Sequence, residues 1–511
     1  MSSLNSITSW DLEADVVILG SGIAGMVAAL EVRQLDPEAT VVILEKEPEA
    51  TAGGNSRVSG QSLSFPVDMA AYRDYQAALN QPHPIPESYL DAWVAGRTGQ
   101  REWVEKMAAE VGFELVPWGD FGAEFPDMPG AECIQDLYCL QPVSGEANPR
   151  LDRPYPSGAY LCFKAHVDKT PEIEVHHETR ARELVQDPDS LEVFGVDAVR
   201  GGERFVVRAR RGVIVATGGF EGDPEMLGTY SGYTSDVGPY GSPANTGDAI
   251  PMLQKAGAKL WHMRNNTETG GNHPGIKRGE GRPVIRNPRP KATSWFDIGA
   301  NGSRYYPEGD YHDTHFKYEL HGRWEDVPTS RVTPVHMIFD EATLTKEILA
   351  ARGLSWAMVV EGYVWSPDNS AEVEAGWIQK ADTVEELAVK IGREPAALVA
   401  EVEKFNAMAE AGEDAEFGRD GAQMSPLKAP YYALEIVAGL ICTTGGAMRD
   451  EQSRVLDRDE RPIPRLFEAG ELGSFHSNLY QNGSFLTEAM FSGRWAARSA
   501  VDQTPLESVQ G

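Results

Sequence analysis

The sequence predicts an α/β fold: a Rossmann-like dinucleotide-binding domain with an inserted α+β domain, the chain returning to the first domain at its end. Three observations predict it. The apolar run Val16 to Leu19 passes straight into Gly20-Ser-Gly22-Ile-Ala-Gly25 and then into a helical pattern. A second apolar strand, Gly212 to Ala216, ends in Thr217-Gly218-Gly219. From about Lys259 the character changes, with Trp, His, Asn, Arg and Pro becoming frequent, and it changes back near Leu427. The segments are therefore read as 1–258 (first part), 259–428 (capping, substrate-side insert) and 429–511 (return).

The first element is the most specific. A run buried on both faces reads as a parallel strand, and the glycines after it have separate tasks. Gly20 makes the turn, Gly22 lets a pyrophosphate approach the backbone, and Gly25 lets helix and strand pack closely. Gly20, Ser21, Gly22, Ile23, Ala24 and Gly25 then present N–H groups and the positive end of a helix, Met26 to Leu35, to phosphate. The next strand, Thr40 to Leu44, ends in Glu45, about 20 residues past the loop, where a carboxylate can accept the hydroxyls of an adenosine ribose. Lys46 follows it.

Residues 65–115 read as helical, with Glu87 to Val111 apolar at helical spacing, and residues 116–160 are rich in Pro and Gly. Ile173 to Val175 and Ala181 to Val185 read as strands, followed by a hairpin from Leu191 to Val207. Asn245-Thr246-Gly247-Asp248 stands before a helix that runs to Ala256. It can face a ligand or be an N-cap and nothing more. Lys277, Arg278, Arg282, Arg286, Arg289 and Lys291 make a basic stretch, read as a solvated loop. Asp340 to Ala411 carries helix-like segments, and a final helix runs to Ser499.

Composition bounds the function. With 511 residues the chain can bury a large core without cross-links. Four cysteines, none in a CxxC pair, fit a reducing cytoplasm and no metal centre. A net charge of −31 disfavours nucleic acid and anionic membranes as partners. No apolar run is long enough for a membrane span, and no signal-peptide pattern opens the chain. Cytoplasmic localisation is expected.

Taken together, the motifs resemble the fumarate reductase/3-ketosteroid dehydrogenase group of flavoproteins over nearly the whole chain. They are the dinucleotide loop, Glu45, Gly53-Gly54-Asn55-Ser56 with Gly60 beyond, Ala-Thr217-Gly218-Gly219, Asn301-Gly-Ser-Arg304-Tyr-Tyr-Pro-Glu308, and Ala469-Gly470-Glu471 before Ser484-Phe485-Leu486. The resemblance implies FAD. It places Glu471 on the ribityl chain and Ser484 to Leu486 by the pyrimidine edge of the ring, where a helix start stabilises negative charge on the reduced flavin. Ala181, Asn245, Thr246 and Asp248 join the expected cofactor contacts. Glu47 stands where membrane-complex relatives attach FAD through a His, so the cofactor is expected to be non-covalent. No CxxCH haem sequence is present.

The group moves a hydride between flavin N5 and a carbon, with a proton exchanged beside it. Soluble fumarate reductases grip a carboxylate with a His and an Arg, where this chain has Cys442 and Gln481. His262 or Arg264 could substitute. The last loop resembles the ketosteroid 4,5-dehydrogenase branch, with Tyr480 able to donate to a ketone oxygen and Asn482 or the Gly483 N–H as a second donor. Arg304 matches a proton-delivering Arg; its alternative is a structural pair with Glu308. Tyr311 or His312 could relay the proton, or lie in a polar helix start. A His312–His315 metal pair would lack a third ligand. The expected function is FAD-dependent desaturation next to the carbonyl of a small molecule, a ketone above all, with an unknown electron acceptor. The alternatives are a fumarate reductase-like reaction, a tricarballylate dehydrogenase-like one (from the local Glu-Gly-Asp), or flavin binding without turnover.

Overall fold

A computed structural model of the chain describes residues 2–119, 122–144, 155–233, 237–268, 275–278, 281–308, 317–320, 323–326 and 333–507. It divides into two compact units. The first comprises Met1–Ser231, Ala244–Asn266 and Cys442–Gly511; the second, Gly232–Pro243 and Thr267–Ile441.

The first unit is built on a parallel sheet. Strand β1 (Leu12–Leu19) leads into helix α1 (Ile23–Leu35), and β2 (Val41–Leu44) pairs parallel to β1, Val16 opposite Val41 and Leu19 opposite Leu44. Strand β3 (Ile173–His176) extends the sheet beyond β2. On the other side of β1 lies β4 (Glu203–Val215), followed by β5 (Pro462–Glu468), both parallel. Helix α1, the helix Gly158–Asp168 and the final helix α2 (Ser484–Val501) bury one face, packing Val27, Phe163 and Ala497 against Val16, Ile18, Ile43 and Ile214.

The segment that reads as a hairpin followed by a separate strand is continuous. β4 runs 13 residues. Its first half pairs antiparallel with Val193–Arg200, which pairs in turn with Thr179–Gln186. Its second half joins the parallel sheet after a register shift between Ala209 and Gly212. The intervening arginines hid the continuity. Arg208 pairs with Glu13 and Arg210 with Asp15, both at 2.7 Å, and Arg211 with Asp36 at 2.6 Å.

Residues 65–115 are three helices rather than one long run: Met69–Leu79, Glu87–Arg97 and Gln100–Glu110. Prolines 82, 84 and 86 separate the first two, and Gly99 (φ +68°) separates the last two. The chain then turns into a strand, Phe113–Gly119, that pairs with Leu137–Pro142.

In the second unit the long strand Tyr431–Thr443 is the spine. Val335–Asp340 and Ile378–Ala381 pair antiparallel with it, and Trp295–Ile298 pairs with Val335–Asp340. Alternation sends Trp295, Met337, Phe339 and Tyr432 into one core and Phe296, Ile338 and Ala433 into another, the latter covered by Val384–Lys390 and Pro395–Ala411.

Candidate flavin site

The turn after β1 has the conformation its glycines permit. Gly20 takes φ +99°, and a Cβ there would lie 2.5 Å from the Ala216 carbonyl oxygen; one on Gly25 would lie 2.1 Å from that of Gly20. Only bare backbone lets strand and helix meet this closely. Glu45 closes the turn from the end of β2. One carboxylate oxygen accepts from the Ser21 N–H (2.9 Å) and hydroxyl (2.6 Å), the other from the Glu47 N–H (2.9 Å). The oxygen that accepts from Glu47 keeps a lone-pair site for a ribose hydroxyl. The short helix Gly54–Val58 stands against the same turn, with the Ser56 hydroxyl accepting from the Ile23 N–H at 3.0 Å. Gln61 ties the end of this segment, around Gly60, to the Ser56 carbonyl and the Ala159 N–H.

Asn55 brings together residues far apart in the chain. Its amide donates to Glu221 at 2.7 Å and to Glu471 at 3.2 Å. Asn245 also donates to Glu221 (2.7 Å), and the Thr443 hydroxyl does so at 3.1 Å. Gly218 and Gly219 run beside them: a Cβ on Gly219 would lie 2.3 Å from Thr443 Oγ1. Burial, and for Glu471 the nearby Glu221 charge, push both carboxyls above the usual range; Asn55 and the Cys442 thiol counter this at Glu471. Burial of these groups and the repulsion between their charges favour the protonated form at one of them.

The segment after β5 is fixed from behind. Arg449, fully buried, donates to the Gly470 and Leu472 carbonyls and pairs with Glu488 of α2 at 2.7 Å. At the start of α2 the Tyr480 hydroxyl accepts from the Gly483 N–H at 3.0 Å, and its ring stacks on Phe485 (centroids 4.2 Å apart). The Ser484 hydroxyl meets His476 Nε2 at 3.0 Å. Burial raises the Tyr480 phenol far above its ordinary pKa and lowers His476 to about 3, so both are neutral.

Other expected residues have partners within the protein. Asp248 caps no helix N–H. Its carboxylate sits between Lys46 (2.9 Å) and Arg180 (2.7 Å) and accepts from the Thr246 hydroxyl, so Lys46, Thr246 and Asp248 form one ionic cluster. Ala181 is half-buried in the strand Thr179–Gln186, opposite Ala198. The Gly483 N–H is engaged by Tyr480, and Asn482 Oδ1 accepts from Ser62. Gln481 is fully buried and accepts from the Tyr75 hydroxyl (2.8 Å) and the Glu124 N–H (2.9 Å). His262, in a left-handed backbone (φ +52°), bonds to the Ser474 carbonyl, and burial brings its pKa to about 4. Arg264 is exposed. In the second unit the Arg304 side chain is wholly enclosed, paired with Glu308 (2.5 Å) and Asp414 (2.8 Å). This is the pairing its i,i+4 neighbour suggested, and a guanidinium so held has no exposed face from which to deliver a proton. Tyr311, His312 and the rest of that run lie outside the described residues.

Glu221, which gathers Asn55, Asn245 and Thr443, is not among the residues the sequence singled out. Glu221 follows directly on the Gly-Gly-Phe turn, which was its one local signal.

The described residues fit a bound dinucleotide. Gly22 keeps a narrow approach, the nearest atom to an added Cβ being Ser56 Oγ at 3.3 Å. The Thr217 hydroxyl is buried without a partner. Glu471 lies among buried groups yet keeps part of its surface open. These features define a dinucleotide-binding protein.

The chain belongs to the FAD binding domain family, whose pattern it matches over residues 15–486. It is similar to the digoxin reductase of Eggerthella lenta, 27% identical with 98% of this chain and 89% of the relative covered. It is also similar to the 4-oxocyclohexanecarboxylate 2-dehydrogenase of Sinomonas cyclohexanicum, 26% identical with 96% and 93% covered. The fold is that of the 3-ketosteroid Δ1-dehydrogenase of Sterolibacterium denitrificans, with TM-score 0.76 and 21% identity over 96% of this chain and 99% of that one. Proteins named as fumarate reductases stand among its relatives as well. The resemblance seen in the motifs is thus shown, and the chain is an FAD-dependent oxidoreductase.

Proposed function

We propose that the enzyme desaturates a C–C bond next to a ketone carbonyl of a cyclic small molecule. The observation that carries this is the Tyr480 hydroxyl bonded to the Gly483 N–H at the start of α2, beside a Gln481 turned into the protein where a carboxylate-gripping Arg would be needed.

Bound FAD supplies a two-electron acceptor for the hydride that leaves the substrate carbon. Glu45 and the turn after β1 hold the adenosine and pyrophosphate end, Glu471 the ribityl chain, and Ser484 to Leu486 the pyrimidine edge. Glu47 accepts from the Thr51 hydroxyl and offers no nucleophilic imidazole, which supports non-covalent binding. Tyr480, kept protonated by burial, donates its O–H to the carbonyl oxygen as the α-proton leaves. The Gly483 N–H on the same oxygen polarises that O–H and makes it the better donor. Tyr311 and His312 are the proposed acceptors of the α-proton, on the sequence alone. Four buried cysteines, none of them in a disulfide, support a reducing, cytoplasmic setting.

A second reading, reduction of a C=C bond next to a carbonyl or carboxylate, is supported by the relatives named reductases. Dye-coupled assays separate the two. Turnover of cyclic ketones with an oxidised phenazine dye supports desaturation. Silence on ketones with oxidation of a reduced dye by fumarate-like acids reverses it.

A further inference from the structure

Arg97 ends the helix Glu87–Arg97 with its side chain almost wholly buried, 2% exposed. Nη2 donates to the Ser64 carbonyl and to the Ser64 hydroxyl (3.0 Å). Nε and Nη1 are buried without an acceptor. No described carboxylate pairs with it, and Glu488 is committed to Arg449. The Tyr72 ring, 5.5 Å from the guanidinium, is its main compensation. A buried cation left this way costs stability, so its retention calls for a use.

Its surroundings point to one. Ser64, which accepts from Arg97, itself donates its N–H to the carbonyl of Gly483 (3.4 Å), the residue just before α2. After burial, the Arg97 charge is among the causes that keep His476 neutral, and His476 bonds to Ser484.

We propose that Arg97 is a positioning residue for cofactor charge. Set behind the first turn of α2 through Ser64, its guanidinium adds to the positive end of that helix and favours the negative charge that bound FAD takes up at its pyrimidine edge on reduction. The proposal rests on the ring placement given above. It explains why a charge that no described carboxylate pairs with is kept: the counter-ion arrives with the electrons.

Sulfite is the probe. Its sulfur lone pair forms a bond to flavin N5, and the displaced electron pair settles on the N1–C2 carbonyl edge. The adduct bleaches the yellow colour and carries negative charge where the reduced ring does, with no electron lost. Holoprotein is titrated with sulfite, and its two-electron potential is measured by dye equilibration, for wild type, Arg97→Gln and Arg97→Lys. We expect wild type to bleach readily and Arg97→Gln to bind sulfite at least tenfold more weakly. Its potential falls with it, by about 30 mV for each tenfold change. Arg97→Lys lies between, and the cofactor-free Arg97→Gln melts no lower than wild type. Unchanged sulfite affinity and potential in an Arg97→Gln protein that retains FAD overturn the role of Arg97 alone. A wild type that holds FAD and takes no sulfite overturns the ring placement. Misfolding of both Arg97→Gln and Arg97→Met also overturns the role, since a charge kept for the cofactor is not required to fold.

Discussion

Replacing Tyr480 with Phe tests the chemical proposal with little change of shape. The ring stays stacked on Phe485 and only the hydroxyl is lost. Two effects follow, of different kinds. Loss of a donor aimed at the charge that develops on the substrate oxygen costs about 10²–10³ in kcat, or about 3–4 kcal/mol of barrier. The Gly483 N–H, now bonded to Tyr480 at 3.0 Å, loses its acceptor, which costs about 1–3 kcal/mol of folding stability. Because a pKa far above the ordinary phenol range keeps Tyr480 protonated, the wild-type rate should show no phenolate ionisation between neutral and mildly alkaline pH. The assay is single-turnover bleaching of the yellow holoprotein by a cyclic ketone, with FAD content measured beside it. Bleaching slowed about a hundredfold or more at full FAD occupancy fits the proposal. Bleaching within about threefold of wild type refutes it, since no donor to the reacting oxygen can be removed so cheaply.

Glu221→Gln tests the carboxylate pair. Burial raises both acids in the folded state, so the stability they contribute is present at low pH and lost as pH rises through their folded pKa values. Melting of the cofactor-free protein should fall with rising pH, and the Gln variant should flatten that fall; an unchanged slope would show that the pair does not hold a proton. Arg304→Gln removes the cation that Glu308 and Asp414 share, leaving Glu308 only the more distant Arg419 (3.9 Å), and should cost about 3–5 kcal/mol in denaturant unfolding. A stable variant that has lost only turnover would restore the proton-delivery role. Arg449→Met should be destabilising by a similar amount through Glu488 and should lower FAD retention, read from the absorbance ratio of the purified protein, because it unfastens the segment that carries Glu471.

What the sequence made legible follows from the range of the interactions. The turn after β1, β2 with Glu45, and the start of α2 are local patterns in which an apolar run, glycines and a helix lie within a few residues of one another. Arg304 with Glu308 is also local, and the pairing could be weighed from spacing alone; Asp414, 110 residues away, could not. Where local signals compete, the reading slips. Phe113–Gly119 holds Pro117 and alternates imperfectly, so its sequence carries no clear strand signal, and it becomes a strand because Leu137–Pro142 pairs with it. Glu221 shows the limit most clearly. Its partners come from positions 55, 245 and 443, so nothing beside it in the chain marks it as more than a surface acid after a turn. Arg97 is harder still, because what distinguishes it is that no described carboxylate pairs with it, and such a gap leaves no trace in a sequence. The residues that build the cofactor cradle are therefore readable from the chain. Those proposed to set its electrostatics, Glu221 and Arg97, are readable only from the fold, because their surroundings are assembled from distant parts of the chain.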